Sequence, residues 1–492
     1  MRTLSQLSPA PIWIYFGEIC RIPRLSKNEG KIRKYLLDFA SLHKLESKED
    51  QAGNILIIRK ASPGMENRKT VVLQSHMDMV GEKNADHPHN WHTDPIIPYI
   101  TDGYVAAKGT TLGADDGIGI ATQLAILVNP AVRAGKIECL FTVDEESGMT
   151  GAMNLQPGFF EGRTYINLDS EDEGILYIGC AGGIDTVGDM PYRRVPVRKG
   201  SCGFKISLTG LRGGHSGDEI HKGFGNSVKI MNSILDELTK KFGIQLSSFS
   251  GGNLRNAIPR EAFSVIAAES IHSQEIIDRI GKFSFKLKDE FADLEKDLKL
   301  AIEECETPPT VMDGESQQKL IKALECCPHG VIAWSKDMED LVETSSNLAS
   351  VNFAGNNRIR IVTTQRSSVE SSKHEIAGIV GKCLELAGAN VVHSDGYPGW
   401  KPDPGSEILK ITSESYEKLF GRKPLVKAIH AGLECGLIYE KFSGIDMISI
   451  GPTIRGAHTP EEKIKIDTVQ MFWDLLVDVI GRIPRYEQRI KN

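Results

Sequence analysis

The sequence predicts an α/β protein whose mostly parallel sheet, with helices on both faces, is interrupted by an inserted α+β domain. Three observations predict it. The runs VVLQSHMD (71–78), IECLFTVDEE (137–146), TYINLDS (164–170) and DMISIGP (446–452) read as short buried strands rich in Val, Ile and Leu. Strands and helical stretches alternate, as in a parallel sheet covered by helices. After about residue 185 the strands take up an apolar–polar alternation, and near residue 395 the first pattern returns. The expected division is therefore 1–187 and 396–492 for the sheet domain and 188–395 for the insert, itself read as two tandem strand-and-helix units.

Taken in order, residues 10–45 read as helical with a break near 22–26, followed by a strand at 54–60 and another at 71–77. GIGIATQLAILV (117–128) is a strongly apolar helix, and 137–143 is the next strand. In the insert, 203–214 and 263–270 alternate as half-buried strands, and 227–242 is an amphipathic helix. The charged stretch 275–305 reads as helical throughout. Residues 347–368 read as a hairpin turning at Gly355-Asn356-Asn357, followed by a helix at 373–388. Helices at 407–420 and 467–482 flank the strand at 446–452.

At 492 residues the chain exceeds one ordinary core. Hydrophobic residues at 40% and charged residues at 25% suit a water-soluble globular protein, and a net charge of −7 without a basic stripe excludes nucleic acid and anionic membrane as expected partners. No apolar run approaches the ~18 residues that span a bilayer. The N-terminal stretch lacks a basic segment followed by an apolar one, and the nine cysteines are scattered without a C-x-x-C pair. Both features point to a reduced, cytoplasmic chain. The adjacent Cys326 and Cys327 read as packing residues.

The chemistry lies at the strand ends. In open α/β sheets, ligand sites form beyond the carboxyl ends of the strands, and there His76, Asp78, Asp115, Glu145, Glu146, Asp169 and His458 collect. Two His with several carboxylates and no clustered Cys suit zinc or a similar divalent ion. His76 and Asp78, two apart on a strand, share a face, so Asp78 can hold the second ring nitrogen of a metal-bound His76. In GTTLGADDGIGIA (109–121) one Asp reads as an N-cap, which leaves the other unassigned. The acidic run Asp144-Glu145-Glu146 needs a compensating positive charge. Read jointly, a dinuclear site with one bridging carboxylate, and one His and one carboxylate on each metal, takes up His76, Asp115, Glu146, Asp169 and His458. Glu145 is then left unligated, as a general base should be. The three histidines of HPHNWH (87–92) lie on a Pro/Asn-rich loop with no carboxylate set and are not assigned to a metal.

HMD, GADDG, DEESGMTGA, NLDS and GP…AHTPE resemble the co-catalytic zinc peptidases of the family that contains carboxypeptidase G2 and dipeptidase V. Further stretches, RGGHSGDEIH, NLRNAIPREAF, YPGWKPD and IHAGLECGL among them, resemble its bacterial dipeptidase branch from the first residues to the last motif. The resemblance implies Asp115 as the bridging ligand, His76 and Asp169 on one metal, Glu146 and His458 on the other, and Glu145 as base. It also implies a cis bond between Asp115 and Asp116 and an insert that serves as a lid. There His215 would polarise the scissile carbonyl, and Asn256 and Arg366 would hold the substrate carboxylate. Gly432 would leave room for substrate backbone and Glu434 would meet its amino group. The implied cofactors are two Zn2+ per chain, with Co2+ or Mn2+ as substitutes. The implied reaction is hydrolysis of dipeptides, including Xaa-His and carnosine-like ones, by a monomer or a homodimer. The rival readings are an N-acyl-amino-acid deacylase of the same superfamily and a non-catalytic zinc-binding module.

Overall fold

A computed structural model describes residues 3–486. The described residues divide into two compact units, one formed by 3–179, 400–428 and 433–486 and the other by 180–399 with 429–432. The second unit begins ahead of the join expected after residue 187, because strand Gly182–Pro191 pairs along its whole length with Arg358–Ser367. A four-residue return, 429–432, also belongs to it.

In the first unit an eight-stranded sheet has Ile137–Thr142, Val71–His76, Thr164–Asn167 and Asp446–Ser449 as its central neighbours, and these four run parallel. Antiparallel strands Glu46–Glu49 and Ile55–Arg59 extend it on one side and Ile175–Cys180 on the other. Val71–His76 and Ile137–Thr142 are buried at every position. Both faces of these strands are therefore covered, which is why they read as continuous apolar runs rather than alternating ones. Helix Ala114–Val128 packs on these two strands, and helix Glu407–Phe420 packs on Asp446–Ser449 and on Ile466–Arg482. Because the central strands are parallel, their carboxyl ends share one edge.

A second, four-stranded antiparallel sheet is not legible in the sequence. It joins Pro98–Thr101, Tyr104–Ala107, Lys463–Lys465 and the two-residue strand Ile454–Arg455. Its strands are too short to carry a periodic signal, yet they set two functional loops. The loop after Tyr104–Ala107 leads to Asp115, and the turn between Ile454–Arg455 and Lys463–Lys465 carries His458.

The second unit is built on one nine-stranded sheet. The two tandem halves expected from the sequence are joined through Gln245–Gly251 and Val342–Ala354 and share one apolar core, which includes Phe204, Ile234, Leu320 and Ile361. The hairpin turns as expected, with Asn356 and Asn357 at φ of +60° and +53°. Residues 299–305, expected to be helical, form strand Lys299–Cys305 at the sheet edge, paired with Ser201–Thr209. Helix Ser273–Glu290 ends well before it. The charged composition of an exposed edge strand imitates a solvated helix, and edge pairing decides the outcome. Among the described residues no helix is long and apolar enough to cross a membrane.

Candidate metal centre

The shared strand edge collects the expected side chains. His76 is the last residue of its strand, Asp169 lies two residues beyond Thr164–Asn167, and Glu145 opens a short helix after Ile137–Thr142. The two oxygens of Asp115 face different imidazoles. Oδ1 lies 2.9 Å from His76 Nε2 and Oδ2 lies 3.2 Å from His458 Nε2. His76 Nε2 is also 3.3 Å from Asp169 Oδ1, and His458 Nε2 is 2.9 Å from Glu146 Oε2. Two groups, each of one His and two carboxylates, thus share Asp115. Glu145 lies beside His76 and Glu146, with ligand atoms within 4.8 Å of one another.

Each position has a local cause. The peptide bond between Asp115 and Asp116 is cis, and both residues depart from helical geometry at the start of Ala114–Val128. Asp116 Oδ1 accepts the Gly119 N–H at 3.1 Å, so it is the helix-capping member of the pair and Asp115 is free to face the histidines. His458 has φ of +63°, a left-handed conformation uncommon outside glycine. Asp144 is turned away from the centre. Its carboxylate accepts from Ser147 and Thr150, and its N–H donates to Glu29.

Asp78 does more than face His76. Its Oδ1 accepts the Glu145 N–H at 3.0 Å, and its Oδ2 accepts the Glu146 N–H at 3.2 Å and the Ser26 hydroxyl at 2.8 Å. His76 Nδ1 lies 3.5 Å from Oδ1, too far for a full hydrogen bond, and has no other partner. Asp78 therefore fixes the backbone of the two glutamates and lies behind the His76 ring.

Two further residues carry no signal in the sequence. Glu462 is buried, and its carboxylate accepts the N–H groups of Leu112, Gly113, Ala114 and Asp115, at 2.8, 2.9, 2.7 and 3.3 Å. It ties the turn carrying His458 to the loop carrying Asp115. The buried Arg24 guanidinium donates to the carbonyls of Met77, Asp78 and Gly113. An acid four residues after His458 and an Arg in a break between helices read as ordinary loop residues. Their partners are backbone groups distant in sequence, so no spacing could reveal them.

Charge in the centre is unbalanced. Burial raises the pKa of the Glu145 carboxyl well above the usual range; Asp169, Glu146 and Glu434 add to the rise, and His76 opposes it. Asp169 is pushed up to about 7, first by burial. His458 is held at about 11 by its hydrogen bonds to Asp115 and Glu146. Glu146 Oε1 and Asp116 Oδ2 are buried without partners. A compact nitrogen-and-oxygen donor set with surplus negative charge and orphaned oxygens fits divalent cations. Glu434 begins helix Glu434–Lys441. Its Oε2 accepts from Gln74 and Thr142, both at 2.7 Å, its Oε1 has no partner, and burial pushes its pKa up to about 8.

The remaining expected residues lie in the second unit. His215 sits on a Gly-rich turn bridged to Ala257. Its Nδ1 accepts the N–H groups of Gly217 and Asp218, at 3.3 and 3.1 Å. The ring proton of neutral His215 is therefore on Nε2, and burial lowers its pKa, which favours the neutral ring. Asn256 is exposed on the facing loop, where its carbonyl accepts the Ser216 N–H at 2.9 Å. Arg366 is buried on strand Arg358–Ser367 and donates to the Tyr397 hydroxyl at 2.7 Å, and its Nε has no partner. Gly432 has a reason for its missing side chain that the sequence does not suggest. An added Cβ would fall 2.6 Å from the Tyr397 ring. In the HPHNWH loop, His89 packs edge-on against Trp91, and among the described residues these histidines join no cluster of potential metal ligands.

The chain is similar in sequence and fold to known peptidases. The model of peptidase family M20/M25/M40 matches residues 72–482. The chain is 42% identical to the cytosol non-specific dipeptidase of Escherichia coli, over 98% of this chain and 100% of that one. The crystal structure of aminoacylhistidine dipeptidase from Vibrio alginolyticus superposes with a TM-score of 0.92 at 43% identity, over 99% of each chain. A tripeptidase from Staphylococcus aureus is alike in fold alone, with a TM-score of 0.55 at 16% identity over 97% of this chain and 99% of that one.

Proposed function

Because the chain belongs to peptidase family M20/M25/M40, we propose that it is a cytosolic, metal-dependent dipeptidase of broad specificity, acting also on Xaa-His and carnosine-like dipeptides. The observation that carries this reading is the shared carboxylate Asp115, with each oxygen facing a different histidine and with Glu145 alongside. His76, Asp115 and Asp169 would hold one zinc ion, and Asp115, Glu146 and His458 the other, with cobalt or manganese as substitutes. Such a pair of ions, when bound, supplies Lewis-acid polarisation of the scissile carbonyl and makes water acidic near neutral pH.

The chain's own residues do the rest. Glu145 takes the proton of the attacking water and passes it to the leaving amine. Asp78 holds the main chain of Glu145 and Glu146, so base and ligand keep their spacing. His215, with its proton on Nε2, is a neutral donor for the oxygen that gains charge as the carbonyl is attacked. Arg366 and Asn256 bind the substrate carboxylate, and Arg366 offers an unpaired Nε for it. Glu434, with one oxygen anchored and the other free, accepts the substrate's amino group.

The test is a comparison of substrates. Free dipeptides are turned over, and acetyl-amino acids, which lack the amino group, are turned over far more slowly or not at all. Hydrolysis of acetyl-amino acids without hydrolysis of dipeptides would replace this reading with a deacylase.

A further inference from the structure

We infer that Tyr397 is a positioning residue that aims Arg366 without neutralising it. The Arg366 side chain is buried, and its Nη1 donates to the Tyr397 hydroxyl oxygen at 2.7 Å. A buried guanidinium is usually matched by a carboxylate, which fixes its plane and cancels its charge. A phenol fixes the plane and leaves the charge for an incoming anion. Burial raises the Tyr397 pKa above its ordinary value, so the hydroxyl stays neutral.

The tyrosine is itself clamped. Its N–H donates to the Gly183 carbonyl at 2.9 Å, and its carbonyl accepts the Gly183 N–H at 3.0 Å. The same carbonyl accepts from the buried Lys373 Nζ at 2.8 Å. Its ring fills a slot between two glycines. A Cβ on Gly183 would lie 2.7 Å from the ring, and one on Gly432 would lie 2.6 Å away. Gly183 is also the residue opposite Arg366 on the neighbouring strand. One strand pair thus carries both the guanidinium and the wall that sets its partner. Such confinement suits a group whose task is to hold another at a fixed angle.

The inference rests on the carboxylate-binding role given to Arg366 above. Its test compares a free dipeptide with the C-terminal amide of the same dipeptide, in the wild type, in Tyr397→Phe and in Arg366→Ala. The ring remains in its slot in Tyr397→Phe, and one hydrogen bond to a charged group is lost. The expected result is a rise of about tenfold in KM for the free dipeptide, with kcat within about twofold. KM for the amide stays at the wild-type value, so the preference for acid over amide falls. That preference is a ratio measured on one sample and does not depend on how much of the sample is folded. If Arg366→Ala loses the preference and Tyr397→Phe keeps it, the role of Tyr397 is overturned while that of Arg366 stands. If Arg366→Ala keeps it, the carboxylate-binding reading falls, and the inference falls with it.

Discussion

Replacing Glu145 by Gln lowers dipeptide turnover by about 10²–10⁴-fold while the bound metal stays at the wild-type level. Both halves of that result follow from geometry. Glu145 stands beside His76 and Glu146 but outside the two His-and-carboxylate groups that share Asp115. Its main-chain N–H, which Asp78 holds, is present in any variant. Gln keeps the shape and removes the base, so KM changes little and kcat collapses. Kinetics paired with metal analysis separate this from damage to the ligand set. A variant that loses its metal would show Glu145 to be a ligand. A variant that keeps both metal and activity would remove it from the mechanism.

Replacing Glu462 by Ala weakens metal binding by about 10–100-fold, the usual effect of losing a group that orients ligands. It also destabilises the first unit by roughly 3–5 kcal/mol, since buried N–H groups lose their acceptor at ~1–3 kcal/mol each and entering water recovers part of the loss. The carboxylate accepts four N–H groups, two on each oxygen. Gln is therefore a poor substitute, because one pair of N–H groups would face an NH2 that donates rather than accepts. The expected order of metal affinity and of melting temperature is wild type, then Gln, then Ala, with Gln closer to Ala. Because Asp115 is the residue displaced, and both groups of ligands contain it, affinity falls for both ions together. Metal titration and thermal unfolding check this, and a Gln variant equal to the wild type would contradict it.

The features legible in the sequence are those carried by burial. Central strands covered on both faces lack an apolar–polar alternation, and His76, Glu145 and Asp169 lie at or just past their carboxyl ends. That is why the parallel centre of the sheet, and the gathering of His76, Glu145 and Asp169 at its carboxyl edge, are legible in the order of residues. Features carried by backbone groups leave no mark. Glu462 and Arg24 act on N–H and C=O groups that every residue has, so their side chains look like loop polarity. The strand Lys299–Cys305 reads as helix because an exposed edge strand keeps charged residues. The small sheet that carries His458 is invisible in the sequence because its strands span only two to four residues. For Gly432 the sequence suggests space for substrate, whereas the space is filled by Tyr397.

The central claim is that dipeptide hydrolysis depends on a pair of metal ions held by His76, Asp115, Glu146, Asp169 and His458. It is tested most directly by stripping the chain with a chelator and following hydrolysis of one free dipeptide as zinc is added back. The account predicts no turnover by the stripped chain and a rise that levels off at two ions per chain. Full turnover by the metal-free chain, or no turnover at any occupancy, would contradict it.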